Sequence, residues 1–222
     1  MMAERRDFQV LHEPFSNLTE FGHTEIAGRI VRSESELLDA IRRLARNGPV
    51  FFKDTTDEHY PGPLADHGFL AQDAVHTFLI RHPEETIASY YALNPEVRIH
   101  QIGTEHLHEI YTRTAELTSS SPVVIDAADL VGDPQGIVRA YCSRVAIPYI
   151  PQALRWTPGE RSEWRPTARW HAEVSASTGF TTSSCDYDLD VASHPVLAGY
   201  LAYHLRFYEA LHRQRLTAGR PR

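Results

Sequence analysis

Residues 75–91, VHTFLIRHPEETIASYY, join a predicted strand directly to a predicted helix and place a cation at the junction. The run 75–80 is rich in β-branched and apolar side chains, which favours a buried strand. Pro83 follows where the first turn of a helix accepts proline best. Open α/β sheets bind ligands at the carboxyl ends of their strands, so Arg81 marks a candidate anion site.

Ser89 supplies a second polar group near that junction, eight residues after Arg81. A guanidinium and a hydroxyl close to the free amides of a helix N-terminus form a plausible phosphate clamp. The alternative is an ordinary strand-to-helix turn in which Arg81 is a solvated surface charge. Local physical chemistry leaves both interpretations open.

The rest of the chain alternates strand and helix patterns. Residues 33–48 predict an amphipathic helix, because Ser33 and Glu36 have capping-box spacing and Asn47-Gly48 form a stop signal. Further strands are predicted at 8–11, 49–53 and 122–126, and further helices at 105–117, 134–145 and 195–213. His12-Glu13-Pro14 predict a loop after the first strand. The fold class is therefore α/β, a mostly parallel sheet flanked by helices with a helical C-terminal part.

Composition limits the organisation and the partners. The 222 residues contain no Gly/Ser linker, repeat or low-complexity block, which favours a single domain over residues 1–222. With 29 acidic against 22 basic residues, the net charge of −7 has the wrong sign for a general nucleic-acid binder. No apolar run reaches the roughly 20 residues that span a bilayer. We expect no nucleic-acid or membrane partner.

Cysteine and histidine spacing gives no metal-binding pattern. Cys142 and Cys185 stand alone, and His106 and His108 lie two apart on a predicted helix, so they do not share a face. No metal is predicted. The N-terminal MMAERRDF has no apolar signal region, so a reduced, cytoplasmic location is expected.

Five segments together resemble one enzyme family. The pattern Arg-x-Pro, five further residues and Ser-Tyr-Tyr at 81–91 is similar to the 3′-phosphate-binding segment of sulfotransferases that use 3′-phosphoadenosine 5′-phosphosulfate (PAPS). FQVLHEPFSN (8–17), the strand ending in Lys53-Asp54, VVIDAADLVGDP (123–134) and ALRWTPG…WH…STGF (153–180) match in the same order. The chain resembles a bacterial, small-molecule branch of that family, with a role in secondary metabolism. The resemblance implies a P-loop-like sulfotransferase fold.

The resemblance implies PAPS as cofactor and assigns residues to it. Arg81 and Ser89 would bind the 3′-phosphate. Ser177 and Thr178 offer hydroxyls for an anion in the late part of that site. The sequence there departs from the Arg-Lys-Gly signature of the animal enzymes, which weakens this assignment.

Catalytic roles follow from the strand that ends at Lys53. The resemblance gives Lys53 the task of stabilising the transferring sulfuryl group, with an exposed charge beside Asp54 as the alternative. A general base must accept a proton near neutral pH, which suits histidine. His59 is the first choice because the family's catalytic histidine closely follows this strand. Asp54, Asp57 and His67 are its rivals.

Four residues are candidates for the acceptor pocket. His12 and Glu13 follow the first strand, although Glu13 before Pro14 also suits a loop brace. Trp170 and His171 belong to a stretch of interleaved aromatic and basic residues, a composition that stacks on flat ligands. Core tryptophans flanked by surface arginines explain that stretch equally well.

One part of the family pattern has no match. These enzymes open with a strand and a loop, commonly Pro-Arg-Ser-x-Ser-Thr, that holds the 5′-phosphosulfate, whereas residues 1–6 resemble the helix after it. Either the start lies at an internal methionine or the loop has been lost. The leading hypothesis is sulfuryl transfer from PAPS to a hydroxyl or amine of a small molecule. The rivals are cofactor-free acid–base chemistry or binding on a repurposed fold, and a non-catalytic partner subunit; a homodimer stays open.

Overall fold

Two parallel strand pairs and the helices around them form this computed structural model, which describes residues 1–181, 187 and 189–218. The strands are β1 (Gln9–His12), β2 (Thr24–Ile26), β3 (Arg29–Val31), β4 (Val50–Lys53), β5 (Thr77–Ile80) and β6 (Val123–Asp126). The helices are α1 (Met2–Arg5), α2 (Pro14–Phe21), α3 (Glu34–Ala45), α4 (Pro61–Ala65), α5 (Pro83–Leu93), α6 (Thr104–Thr118), α7 (Ala127–Gly132), α8 (Pro134–Arg144), α9 (Ala172–Ala176) and α10 (Leu197–His212). A π-helical turn spans Phe69–Asp73, and 3₁₀ turns span Ile99–Ile102, Pro151–Leu154 and Ser162–Trp170.

Each parallel strand pair places at least one polar residue at its carboxyl end. β1 runs parallel to β4 with His12 opposite Lys53, and β5 runs parallel to β6 with Ile80 opposite Asp126. β2 and β3 form an antiparallel hairpin. The α/β class is confirmed, but the described strands form three two-stranded sheets rather than one continuous sheet. Each parallel pair therefore has its own carboxyl end.

Helix α3 forms where its caps and apolar spacing predict it. The Ser33 hydroxyl accepts the amide of Glu36 at 3.2 Å, as in a capping box. The Glu36 carboxylate accepts the amide of Arg32 instead of that of Ser33. Leu37 and Ile41 are buried on the inner face of α3, so the amphipathic prediction is confirmed.

The loop predicted after β1 is wrong, because helix α2 begins directly at Pro14. Proline is accepted there, since the first helical amide has no partner within the helix. The next two amides, of Phe15 and Ser16, donate to the Asp54 carboxylate at 2.8 and 2.9 Å. That acceptor lies on the far side of β4 in the sequence, so no local capping signal announces the helix.

The last third of the chain returns to both strand pairs. α10 packs against α5 and α6, and its Leu211 is buried beside Phe78 and Val124 of the β5–β6 pair. The 3₁₀ segment Ser162–Trp170 instead approaches the end of β1, where His171 meets His12. Within the described residues, no helix combines the length and apolarity that crossing a bilayer requires.

Candidate functional site

The carboxyl ends of β1 and β4 carry an acid, a base and a cation in contact. The Lys53 ammonium donates to the Glu13 carboxylate, and the other Glu13 oxygen lies 3.4 Å from Nε2 of His12. Glu13 is buried, whereas the Lys53 side chain is half exposed. Glu13 also has a φ of 45°, in the left-handed region that few non-glycine residues adopt. The backbone thus turns the carboxylate back between its two partners.

A residue from the far end of the sequence completes this group. Nε2 of His171 lies 3.3 Å from Nε2 of His12, and the Trp164 ring stacks on His171 with centroids 5.1 Å apart. We call His12, Glu13, Lys53, Trp164 and His171 the histidine cluster. The cluster joins the carboxyl ends of β1 and β4 to the 3₁₀ segment Ser162–Trp170 and the histidine that follows it.

The hydrogen-bond partners assign the protons within the cluster. Because the Glu13 carboxylate can only accept, the proton of His12 is assigned to Nε2 and toward Glu13, 3.4 Å away. His171 Nε2 lies 3.3 Å from this protonated nitrogen and 3.2 Å from the Thr167 hydroxyl, which can donate, so it is assigned as the unprotonated nitrogen. Tautomers are assigned from such networks rather than seen directly. On this assignment His171 presents a lone pair, the form in which imidazole accepts a proton.

Burial keeps both imidazoles neutral. Desolvation lowers the pKa of His12, with Glu13 opposing the shift and Lys53 reinforcing it. Desolvation likewise lowers the pKa of His171, again opposed by Glu13. Because an ordinary imidazole titrates near about 6.5, a lowered value leaves both rings uncharged at neutral pH. Each neutral ring therefore keeps one nitrogen lone pair, although burial makes that nitrogen a weaker base than a free imidazole.

A cleft lies beside the cluster on the side of the late segment. It has a volume of about 400 Å³ and is lined in part by Trp164 and His171, with Arg161 and Arg165 as its cations. Arg161 pairs with Glu4 of α1. The volume lies within the range of about 300–1,000 Å³ for small-molecule sites. A small ligand there would meet one histidine of the cluster and two guanidinium groups.

Asp54, a catalytic candidate from the sequence, holds helix α2 in this structure, and its catalytic role stays a prediction. Both of its oxygens accept backbone amides of α2, those of Phe15 and Ser16. Burial raises the pKa of Asp54 to about 7, against the opposing effect of these two amides. Its carboxylate thus ties α2 to the end of β4, and its recorded partners lie outside the histidine cluster.

His59, the first choice as general base, lies against another element. Its Nε2 is 3.1 Å from the Glu109 carboxylate on α6, and its ring contacts His106. Among the described residues no recorded contact joins it to Lys53. His67 likewise contacts Arg113 of α6 at 2.7 Å. The structure thus places His59 against α6 and not beside Lys53, and its role as general base stays a prediction.

Arg81 and Ser89 sit at and beyond the end of β5, as predicted, but each has another partner. Nε of Arg81 donates to Glu85 at 2.9 Å, and the Arg81 side chain is 37% exposed. The Ser89 hydroxyl accepts from Tyr187 at 3.2 Å. In the described part of the chain no recorded hydrogen bond joins Arg81 to Ser89. The phosphate-clamp role stays a prediction.

Ser177 and Thr178 lie in a turn that carries Trp156. The Ser177 hydroxyl accepts from Nε1 of Trp156 at 3.0 Å and donates to the carbonyl of Val174. The carbonyl of Thr178 accepts the amide of Trp156. The Ser177 hydroxyl is thus occupied in fastening the turn, whereas the Thr178 side chain is exposed.

The two aromatic candidates at 170 and 171 separate. His171 enters the histidine cluster, but Trp170 packs on Tyr90 of α5 with centroids 4.9 Å apart. Trp164, which the sequence analysis did not single out, is the tryptophan that contacts both cluster histidines. The segment between Trp164 and His171 is 3₁₀ and not α-helical, so their spacing of seven residues gave no periodic signal.

Cys142 is a free, buried thiol, and Cys185 lies outside the described residues. His106 and His108 face different neighbours, His59 and Phe207, as their spacing predicts. The expectation of no metal site considered residues close in sequence. His12, Glu13 and His171 were outside that comparison, although their donor atoms lie within 4.8 Å of one another.

Comparison with known proteins gives the family. The profile of the sulfotransferase domain matches residues 1–215. Branched-chain-amino-acid aminotransferase-like protein 2 of Arabidopsis thaliana is 30% identical over 116 residues, 51% of this chain and 20% of that protein. Branched-chain-amino-acid aminotransferase-like protein 1 of the same plant is 32% identical over 110 residues, 48% of this chain and 19% of that protein. The chain thus aligns with about a fifth of each of these relatives, and no solved structure matches it. Because the profile match extends from the first strand pair to the end of the last helix, the chain belongs to the sulfotransferase domain family.

Proposed function

We propose that this chain transfers a sulfuryl group from PAPS to a hydroxyl or amine of a small molecule, at the histidine cluster. The observation that carries the proposal is a chain of contacts: Lys53, at the end of β4, pairs with Glu13, Glu13 lies beside His12, and His12 contacts His171. Family membership supplies the reaction class, and the cluster supplies the types of group that the reaction needs. Acceptor and cofactor both belong to the proposal.

Sulfuryl transfer resembles phosphoryl transfer in what it asks of a protein. PAPS supplies a sulfuryl group on a phosphate leaving group. The acceptor oxygen or nitrogen forms a bond to sulfur, the bond from sulfur to the phosphate oxygen breaks, and the acceptor proton passes to a base. The protein's part is to position the reactants and stabilise spreading negative charge.

His171 is the base that the contacts support. Its Nε2 is an acceptor, and it lines the cleft where an acceptor molecule would lie. When His171 takes the proton, the imidazolium stands next to His12, whose own proton is held toward Glu13. The Glu13 carboxylate therefore stabilises the charged pair, as a carboxylate does behind a catalytic imidazole.

Lys53 is the cation for the sulfuryl oxygens. Half of its side chain is exposed, so the ammonium has room to leave Glu13 for an incoming anion. Glu13 meanwhile keeps the ammonium near the strand end. A cation that is prepositioned in a partly dry site stabilises developing charge more strongly than one in bulk water.

Arg81 and Ser89 are the proposed ligands of the 3′-phosphate. Among the described residues Arg81 forms an ion pair only with Glu85, four residues along the chain in helix α5. Such exposed pairs contribute about 0.3–0.5 kcal/mol. Phosphate competes well against so weak a pair because it offers two oxygens to one guanidinium. The 3′-phosphate would then lie at the β5–β6 end, with the sulfuryl group toward β4.

Acid–base chemistry without PAPS is the second candidate. The contact between His12 and His171 favours it, because a neutral histidine pair beside a cleft can move protons on a ligand with no nucleotide. In that case Arg161 and Arg165 would hold an anionic substrate, and Arg81 would have a structural role.

The test uses mass-spectrometric detection of products from a panel of phenols, alcohols and amines, each with and without PAPS. We expect a product heavier by one sulfuryl group only when PAPS is present. His59→Ala and His171→Ala are run side by side, because they separate the base predicted from sequence from the base that the structure supports. Conversion without PAPS would establish the second candidate, and no conversion by a folded protein would contradict both.

A further inference from the structure

We propose that His12, Glu13 and His171 form a binding site for a divalent ion of the zinc type. Their donor atoms are Nε2 of each histidine and a carboxylate oxygen, and all lie within 4.8 Å of one another. Within residues 1–181, 187 and 189–218 this is the one group of three such donors that could hold a metal. The proposal goes beyond sulfuryl transfer: an ion bound here would occupy the Nε2 lone pair of His171, so metal binding and proton acceptance by His171 exclude each other.

The spacing of the donors fits a tetrahedral ion. Zinc binds histidine nitrogen and carboxylate oxygen at about 2.0–2.2 Å. In a regular tetrahedron the distance between two ligands is about 1.6 times the bond length, which gives about 3.3–3.6 Å here. The observed separations are 3.3 Å between the two Nε2 atoms and 3.4 Å between His12 Nε2 and the Glu13 carboxylate. The third separation, between His171 Nε2 and the Glu13 oxygen, is within 4.8 Å, so an ion would draw these two donors together.

The ligand set leaves one position open. Two histidines and one glutamate are a set found at catalytic zinc sites, where water or substrate takes the fourth position. His171 lines the cleft that also contains Arg161 and Arg165, so the open position would accept water or an anionic ligand from there. The Thr167 hydroxyl, 3.2 Å from His171 Nε2, would turn away from the nitrogen or approach the ion.

Binding rearranges protons and not the fold. His12 must give up its Nε2 proton, which moves to Nδ1 or to solvent, because only the lone pair binds metal. One Glu13 oxygen stays with Lys53, and the other, nearer His12, is the ligand. The site thus predicts monodentate coordination by Glu13.

Lys53 opposes the ion, which provides a sensitive test. Its ammonium holds a Glu13 oxygen and repels a second cation at short range. Replacing Lys53 with methionine keeps the apolar stem and removes the charge. We therefore expect Lys53→Met to bind zinc more tightly than the wild type, an effect that a fortuitous surface site would not show.

The experiment is a zinc titration by calorimetry on chelator-treated full-length protein, with no nucleotide present. We expect one ion per chain for the wild type. His171→Ala should weaken binding by at least about 100-fold, since even an outer-shell partner is worth about 10–100-fold. His59→Ala is the matched control, because it removes the other histidine held by a glutamate, at 3.1 Å, and it should bind as the wild type does. Cobalt absorption spectra, intense for four-coordinate sites, report the geometry.

Each outcome bears on the proposal. No zinc binding by the wild type overturns it, and so does equal binding by folded His171→Ala. If His171→Ala does not fold, the comparison of Lys53→Met with the wild type still decides, because unchanged or weaker binding contradicts a site that includes Glu13. Since no PAPS is present, the result is independent of the transferase assay.

Discussion

The two parallel strand pairs share one architecture but use their carboxyl ends differently. At the β1–β4 end, His12, Glu13 and Lys53 contact one another and receive His171. At the β5–β6 end, Asp126 is fully engaged in capping α7 and in accepting the hydroxyl of Tyr208 at 2.9 Å. The difference lies in what the late residues bring. At the β1–β4 end, which the 3₁₀ segment Ser162–Trp170 covers, they add His171 to the group, and we call this the covered end. At the β5–β6 end the late residue Tyr208 instead occupies the Asp126 carboxylate.

The largest effect should come from the covered end. His171→Ala should lower transferase activity by about 10²–10⁴-fold, the usual contribution of a positioned base. His82→Ala, at the other strand end, should keep activity close to that of the wild type, since His82 contacts Tyr208 and not the cluster. The measurement is steady-state product formation, with thermal unfolding to verify the fold. Equal losses in both variants would remove the distinction between the ends.

Next in size is the pH dependence that Asp54 gives to folding. Burial raises the pKa of Asp54 from 3.8 to about 7, so the folded state favours the protonated form. Below its unfolded-state pKa of 3.8 Asp54 is protonated in both states, and above its folded-state pKa of about 7 it is ionised in both, at a cost to the folded state. The free energy of unfolding therefore falls as pH rises from about 4 to about 7. About 3 pKa units set an upper limit of about 4 kcal/mol. The free energy of unfolding, measured by urea denaturation at several pH values in this range, should fall less steeply with pH for Asp54→Asn than for the wild type.

Only the pH dependence of the unfolding free energy is compared between the variants. The absolute stability also changes, because the asparagine side chain has one oxygen to accept the two α2 amides where aspartate has two. Asp133→Asn is the control, since Asp133 caps α8 by accepting the Gly136 amide at an exposed position. Its slope should match the wild type. A wild-type slope that Asp54→Asn leaves unchanged would show that the carboxylate is ionised throughout, held so by its two amides.

A smaller loss is expected at the β5–β6 end. Arg81→Ala should weaken binding of adenosine 3′,5′-bisphosphate by about 1.5–3 kcal/mol, the contribution of a charge-assisted hydrogen bond. Arg113→Ala is the matched control, because Arg113 forms a similar exposed pair with Glu116. Calorimetric titration measures both. Tight binding that survives Arg81→Ala would place the nucleotide elsewhere, and the covered end would then be the first place to look.

The smallest of the four effects concerns stability at that same β5–β6 end. Asp126→Ala removes the acceptor of the Ala128 amide and the Tyr208 hydroxyl from a buried position. A buried donor left without a partner costs about 1–3 kcal/mol. Asp133→Ala, an exposed cap, should cost about 1 kcal/mol. Chemical denaturation ranks the two losses of stability. A reversed order would mean that the cost of burying the Asp126 carboxylate cancels the stability that its hydrogen bonds contribute.

Sequence reasoning succeeded where the determining contacts are local. Pro83 marks the start of α5, Ser33 caps α3, and Lys53 ends β4, because strand, cap and proline signals act within a few residues. It failed at α2, whose amides find their acceptor 39 residues away in Asp54. Capping patterns compare residues a few positions apart, so they cannot identify an acceptor 39 residues away.

The candidate site shows the same division. His12, Glu13 and His171 were each selected singly, but their contact joins positions 159 residues apart. No spacing rule covers that separation, so the histidine pair and its ligand geometry appear only in three dimensions. His59 was chosen by its proximity to Lys53 in sequence, and the chain instead carries it to Glu109 on α6.

The long separation between His12 and His171 also sets an order of assembly during synthesis. Chains emerge from the ribosome N-terminus first, at about 5–20 residues per second. β1, α3 and β4 can pair, and Glu13 can meet Lys53, seconds before His171 has been translated. The nascent protein would thus carry a folded but chemically incomplete strand end, and the proton-accepting group would arrive last, which keeps the reactive centre unformed until most of its scaffold exists.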